Sequence, residues 1–199
     1  YYAPGSGEQS LIFASRTNEN QIRVANLADL EISNPYLAWS PSSEWLAIIP
    51  RNTDAASNKL YLFNTYTREI KAVTESGNIV KASFSHDTSK IIFATNSPDP
   101  ANPVTSALSI MNIDGKDLRN LEIRADIGKT AWIDESSLAI ATYDPELKIE
   151  TLFRYNVSSK QREGFSIPLA GAFVSSLVTS GDAKTLYFMI AGKLYATTP

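Results

Sequence analysis

Ala38-Trp39-Ser40-Pro41, running on to Leu46-Ala47-Ile48-Ile49, decides the fold, because the pattern comes back. Ala82-Ser83-Phe84-Ser85-His86-Asp87 leads into Ile91-Ile92-Phe93-Ala94. Ala131-Trp132-Ile133-Asp134 leads into Leu138-Ala139-Ile140-Ala141. Aligned on the first large apolar residue of each block (Tyr2, Trp39, Phe84, Trp132 and Leu177), the spacings are 37, 45, 48 and 45 residues. A period of this length marks an array of supersecondary units, each too small to bury its apolar face alone.

Within each block the elements read as strands. The second strands, Leu11–Ser15, Leu46–Ile49, Ile91–Thr95, Leu138–Thr142 and Leu186–Ile190, are nearly unbroken apolar runs. Such runs suit strands covered on both faces. The third strands, Ile22–Ala25, Leu60–Phe63, Leu108–Met111, Leu152–Tyr155 and Leu194–Thr197, alternate more clearly, and four of them end in Asn26, Asn64, Asn112 or Asn156. Asn bonds its own backbone and tolerates left-handed conformations, which suits a tight turn. Fourth strands follow at Leu30–Ile32, Glu69–Val73, Leu118–Ile123 and Gln161–Phe165. Residues 117–126 have helical composition, but the repeat assigns them to an outer strand.

Four short antiparallel strands per repeat predict an all-β fold, a β-propeller of four-stranded antiparallel blades. The blades fall at about 1–35, 36–78, 79–126, 127–170 and 171–199 of a single domain. The motifs resemble the TolB-like, WD40-like propeller repeat, which runs Trp-Ser-Pro-Asp-Gly, then an Ile-Ala-Phe strand, then Met-Asn-x-Asp-Gly. Trp39-Ser40-Pro41 matches the first element and Met111-Asn112-Ile113-Asp114-Gly115 the last. Ser42-Ser43 and Asp87-Thr88 depart from the Asp-Gly pair, and His86 stands where the repeat has Pro. The fifth block reaches Pro199 without a fourth strand. The expectation is therefore either a compact five-bladed ring or part of a longer propeller. The chain opens at Tyr1 without Met and reads as an excised or processed segment, any targeting segment lying outside it.

Composition bounds the function. With 43% hydrophobic and 20% charged residues, the 199-residue chain is an ordinary globular one. A net charge of −3 gives no basic footprint for nucleic acid. No apolar run is long enough to span a bilayer as a helix. Without Cys there is no disulfide, thiolate metal site or Cys nucleophile. No glycine-rich phosphate loop, metal-binding His pair or Gly-x-Ser-x-Gly elbow is present, so the motifs imply no cofactor.

In a propeller blade, the loop between second and third strands shares a face with the connection to the next blade. Those loops are long here: 16–20, 51–58, 96–103 and 143–146. Variable loops on one rim of a rigid scaffold are the usual place for recognition. The plainer reading of each is a solvated linker. The candidate partner-binding residues are Arg16, Arg51, Asp99, Tyr143 and Trp45. Arg16 and Arg51 hold nearly equivalent rim positions, from which two guanidinium groups can grip a carboxylate or phosphate. Trp45 takes a position filled by Lys90 or Ser137 in other blades and reads as an exposed interface aromatic. Asp99, Asp144 and Glu146 are oxygen donors suited to Ca²⁺, though without the density of an EF-hand.

Trp39 and Trp132 are expected to fill the spaces between blades. The single histidine, His86, lies in a turn, and a neighbouring Asp87 does not make a triad. Asn156-Val157-Ser158 matches a glycosylation acceptor, but the turn role of Asn156 explains it.

The first expectation is a non-catalytic scaffold for protein–protein or ligand recognition. The resemblance implies an exported, cell-envelope setting. The alternatives are the gating propeller of a larger hydrolase, such as a prolyl-oligopeptidase-like peptidase, and a five-bladed carbohydrate-active propeller whose channel carboxylates act as a pair.

Overall fold

A computed structural model describes residues 10–14, 21–26, 34–51, 58–75, 77–96, 106–144, 149–165 and 173–199. Every sheet is antiparallel, with its strands in chain order. The first pairs β1 (Ser10–Ala14) with β2 (Gln21–Asn26). The second runs β3 (Tyr36–Trp39), β4 (Trp45–Ile49), β5 (Tyr61–Asn64), β6 (Ile70–Ala72). The third runs β7 (Ile79–Phe84), β8 (Lys90–Thr95), β9 (Ser106–Asn112), β10 (Arg119–Ala125). The fourth runs β11 (Thr130–Asp134), β12 (Ser137–Asp144), β13 (Ile149–Asn156), β14 (Arg162–Gly164). The fifth has β15 (Val174–Thr179), β16 (Leu186–Ile190) and β17 (Lys193–Thr197). One short 3-10 turn, Ile127–Lys129, links the third and fourth sheets. These are the blades of a β-propeller, and the sheets do not close on themselves among the described residues. The strands expected at Tyr2 and at Leu30–Ile32 lie outside the described residues.

The second strands of the third and fourth sheets are buried on both faces because each of these sheets is sandwiched between two others. In β4 and β8 every residue from Leu46 to Ile49 and from Ile91 to Ala94 is buried. Three apolar clusters fill the spaces between successive sheets. Ala47, Ile49 and Leu60 meet Ile79, Phe84 and Ile91. Ile92, Ala94 and Leu108 meet Trp132, Leu138 and Ile140. Ala139, Ala141 and Leu152 meet Leu177, Leu186 and Phe188. The same positions on the fifth sheet carry Tyr187, Met189 and Leu194. Here Met189 and Leu194 are 37% and 68% exposed, so this forward face is uncovered.

Short-turn chemistry repeats as faithfully as the packing. In three sheets a Ser follows the first strand, and its Oγ accepts the amide at, or one residue before, the start of the second strand: Trp45 N to Ser40, Lys90 N to Ser85, Thr185 N to Ser180. Ser85 and Ser180 also donate to Asp87 and Asp182, each at 2.6 Å. Burial tends to raise the Asp87 pKa, but the Ser85 and Ser89 hydrogen bonds and Lys90 outweigh it and hold the carboxyl below its ordinary value. In the outer turns Asn64 and Asn156 each accept two backbone amides through Oδ1, from Tyr66 and Thr67 and from Ser158 and Ser159. The left-handed residue there is not Asn, as expected from sequence, but Arg68 (φ 62°) and Lys160 (φ 59°). Gly115 takes that conformation (φ 86°) in the tighter Asn112–Lys116 turn.

Where the repeat has Gly in its inner turn, this chain places Ser43, Thr88 and Ala183 at φ 60°, 62° and 57°. A β-branched residue in that region is strained, and the Thr88 hydroxyl is also buried without a hydrogen-bond partner. Thr88→Gly removes both costs and is expected to raise stability by about 1 kcal/mol, net of the flexibility glycine adds to the unfolded chain. Thermal unfolding followed by circular dichroism should move up by roughly 2–4 °C. An unchanged or lower midpoint would contradict this account of the turn.

Candidate functional site

The first strands line the centre of the arc. β3 lies beside β7 and β11 beside β15. His86, in the turn after β7, ties three blades together at the short-turn end of this inner wall. Its Nε2 lies 3.0 Å from the Trp132 carbonyl and 3.1 Å from Thr179 Oγ1, and Thr179 Oγ1 donates to the same carbonyl at 2.6 Å. The imidazole is thus a cross-blade tie, while Asp87 beside it is bound to Ser85 and Ser89. Between β3 and β7 runs an inner-wall cleft of about 440 Å³, lined by Tyr36, Trp39, Pro41, Lys81, Ser83 and Thr130, among others.

Trp39 and Trp132 hold equivalent positions and diverge in environment. Trp132 is 3% exposed and its Nε1 donates to the Ser83 carbonyl of the preceding blade. Trp39 is 51% exposed and stands on the cleft wall, which corrects the expectation that it fills an inter-blade space. The preceding-blade residues that would correspond to Ser83 lie in the segment 1–9, outside the described residues.

Among the described residues the long-loop face carries two ring contacts. Arg51, just past β4, holds its guanidinium carbon 5.9 Å from the ring centroid of Tyr36 at the start of β3. Tyr143, near the end of β12, packs against Phe173, which precedes β15, with centroids 5.7 Å apart and an interplanar angle of 39°. Both rings are open to solvent, at 40% and 55%. In the third blade the equivalent span is closed by polar contacts: Asn96 N donates to Asn78 O and Asn78 Nδ2 to Asn96 O.

A buried ion pair anchors the backbone next to Phe173. Glu150 stands directly across from Tyr143 in the β12–β13 register. Its side chain is 1% exposed and its Oε1 lies 2.7 Å from Lys129 Nζ on the connection from the third blade. Its Oε2 accepts the backbone amide of Val174, the residue after Phe173. One carboxylate therefore joins the third-to-fourth connection, the fourth blade and the first strand of the fifth. Burying a carboxylate is costly unless it is paired and hydrogen-bonded, as it is here. Sequence reading missed both residues. Lys129 and Glu150 are 21 apart, and no local pattern pairs them.

Of the other candidates, Arg16, Asp99 and Glu146 lie outside the described residues. Trp45 is corrected on two counts. It is partly buried against the core of the second and third blades rather than exposed. It also opens β4, at the opposite end of the strand from Arg51, so it does not share the rim. Among the described residues, no group of three His, Asp or Glu side chains is arranged to hold a metal ion. No helix among them is long and apolar enough to cross a membrane.

No protein-family model matches the chain, and no curated protein sequence does either. Its structure is similar to TolB from Acinetobacter baumannii, with a TM-score of 0.57 and 15% identity over 96% of this chain. It is similar to the acylaminoacyl peptidase of Pyrococcus horikoshii, with a TM-score of 0.65 and 11% identity over 96% of the chain. It is also similar to oligogalacturonate lyase from Vibrio parahaemolyticus, with a TM-score of 0.60 and 11% identity over 94% of the chain. The chain spans 49%, 33% and 54% of those proteins, respectively. Likeness at this identity establishes the fold.

Proposed function

We propose that this chain is a non-catalytic recognition module in an extracytoplasmic setting, and that its long-loop face binds a partner protein. The observation that carries the reading is the Tyr143–Phe173 pair, two exposed rings beside backbone anchored by the buried Glu150–Lys129 pair. Exposed aromatics on a rigid support lose little entropy on binding, and aromatic and Arg anchors dominate protein interfaces. Arg51 on Tyr36 adds a guanidinium to the same face. The likeness to TolB is the ground for the envelope setting.

The test is capture from envelope extract of the source cell on immobilised chain, run beside Tyr143→Ala/Phe173→Ala and Arg51→Ala. The expected result is a specific partner whose retention falls by about tenfold or more in the double variant. Equal retention by all three proteins would move the site off this face.

A second reading rests on the likeness to the acylaminoacyl peptidase. There the chain is the propeller portion of a hydrolase, and its inner wall passes substrate to a catalytic domain elsewhere in the protein. Peptidase activity of the complete gene product, lost on mutating a serine outside this segment, would favour it over the first. The carbohydrate-active reading has only the likeness to the lyase behind it.

A further inference from the structure

The outer halves of successive blades meet in equivalent grooves, and the grooves are not alike. Between the third and fourth blades the space is filled. Leu121, Tyr155 and Val157 are 4%, 2% and 2% exposed, Tyr155 Oη donates to the Leu121 carbonyl, and Lys160 bridges to Glu122 at 3.2 Å. The filling comes from a bulge in β10. Asn120 pairs with Ser109 and Arg124 with Ala107, so residues 121–123 face the single Leu108. This places a second aliphatic side chain, Ile123, beside Leu121.

Between the second and third blades the same place is open. β6 pairs with β5 without a bulge, and only Val73 stands opposite Leu60. Met111 takes the position of Tyr155, and Ile113 that of Val157. Val73 and Ile113 are only partly buried. The result is a groove of about 240 Å³ floored by Leu62, Val73 and Ile113 and walled by the Trp45 indole. Its lip is polar. Glu69 and Lys71 come from β6 and its approach, and Asp114 from the facing turn. Glu44 stands behind Asn64, which donates to it at 3.2 Å. Lys116 pairs with Asp114 at 3.2 Å. Among the described residues, the Glu69 carboxylate has only the Thr67 hydroxyl, at 3.5 Å. β6 is the outermost strand of its sheet.

We propose that this groove is a docking slot for one leucine-sized side chain of an extended peptide from a partner protein, with an adjacent Lys or Arg seated against Glu69. The neighbouring interface shows the occupant's chemistry, since the equivalent space there is filled by aliphatic side chains carried on a strand. With Asp114 already paired to Lys116, Glu69 is the lip carboxylate left to select the flanking cation. The slot explains why Trp45 replaces Lys90 and Ser137 here, because an indole at this position walls an apolar site. It lies on the opposite face from Tyr143 and Phe173, so the two sites stand or fall separately.

The test uses the 199-residue chain with ¹⁵N-labelled tryptophan. The indole N–H of Trp45 is followed by NMR while acetyl-Gly-Leu-Arg-Gly-amide is added. A saturable shift at Trp45, with affinity about tenfold lower for the Ala-Arg and Leu-Glu analogues, supports the slot. Glu69→Lys, an exposed substitution, should reverse the preference between the Arg and Glu peptides. Val73→Arg should abolish the shift while the circular dichroism spectrum stays unchanged. No saturable shift with any peptide, equal binding of the Ala-Arg peptide, or indifference to Glu69→Lys would each overturn it.

Discussion

Replacing Lys129 with methionine is expected to lower the free energy of unfolding by about 3 kcal/mol, the scale for removing one partner of a buried ion pair. The reason is the state in which it leaves Glu150. That carboxylate is 1% exposed and its nearest cation is Lys129 at 2.7 Å. Without the ammonium it keeps the Val174 amide but loses its counter-charge in a medium that solvates it poorly. Methionine preserves the stem of the side chain, so the change reports charge rather than packing. Lys129 is itself 24% exposed, which places the cost toward the low end of the range for fully buried pairs.

The double variant Lys129→Met/Glu150→Gln separates the contributions. Glutamine is neutral and still accepts from Val174 through its amide oxygen, so part of the loss should return. Urea denaturation of the three proteins checks both statements. A single-variant cost under about 1 kcal/mol would mean that the pair behaves as a surface salt bridge. The same variants bear on the proposed function. If the pair holds Phe173 against Tyr143, Lys129→Met should also weaken partner capture at temperatures where the protein remains folded.

The repeat made the fold legible because both of its signals are local. An unbroken apolar run such as Ile91-Ile92-Phe93-Ala94 identifies a strand with sheets on both sides. A Ser before the turn and an Asn after the third strand mark where the chain reverses. Residues 119–125, helical by composition, fold as β10 because β9 of the same sheet offers them a ladder and the fourth sheet a core to pack against. Tertiary context of this kind routinely overrides propensity.

The candidate site was less legible, because its parts are joined across blades. Tyr143 was readable as a loop aromatic, but its partner Phe173 belongs to the next blade, and the carboxylate beneath them reads as one polar residue at a strand start. Trp45 and Trp39 were misread for a related reason. Equivalent positions in a repeat share backbone geometry, yet their exposure depends on what the adjacent blade brings to them, as Trp132 at 3% and Trp39 at 51% show. His86 was recognisable as unfit for a triad, but its contacts with Trp132 and Thr179, 46 and 93 residues away, have no counterpart in local sequence.

Tyr155→Ala is expected to cost about 4 kcal/mol, a large-to-small loss in a fully packed space. Tyr155 is 2% exposed and sits among Ile110, Leu121, Phe153 and Val157, where no open surface lets the structure collapse inward. The hydroxyl contributes little of this, because its contact with the Leu121 carbonyl is long at 3.4 Å. Tyr155→Phe should therefore cost no more than about 1 kcal/mol. Tyr155→Met is the informative intermediate, since methionine is what the preceding blade carries at this position, as Met111. It should cost about 1–2 kcal/mol and leave part of the third-to-fourth groove open. If the groove argument is right, this variant gains a second, weaker site for the leucine peptide while Trp45 still reports the first. Should Tyr155→Ala cost less than about 2 kcal/mol, the two grooves would not differ in packing, and the contrast between a filled interface and an open one would fail with it.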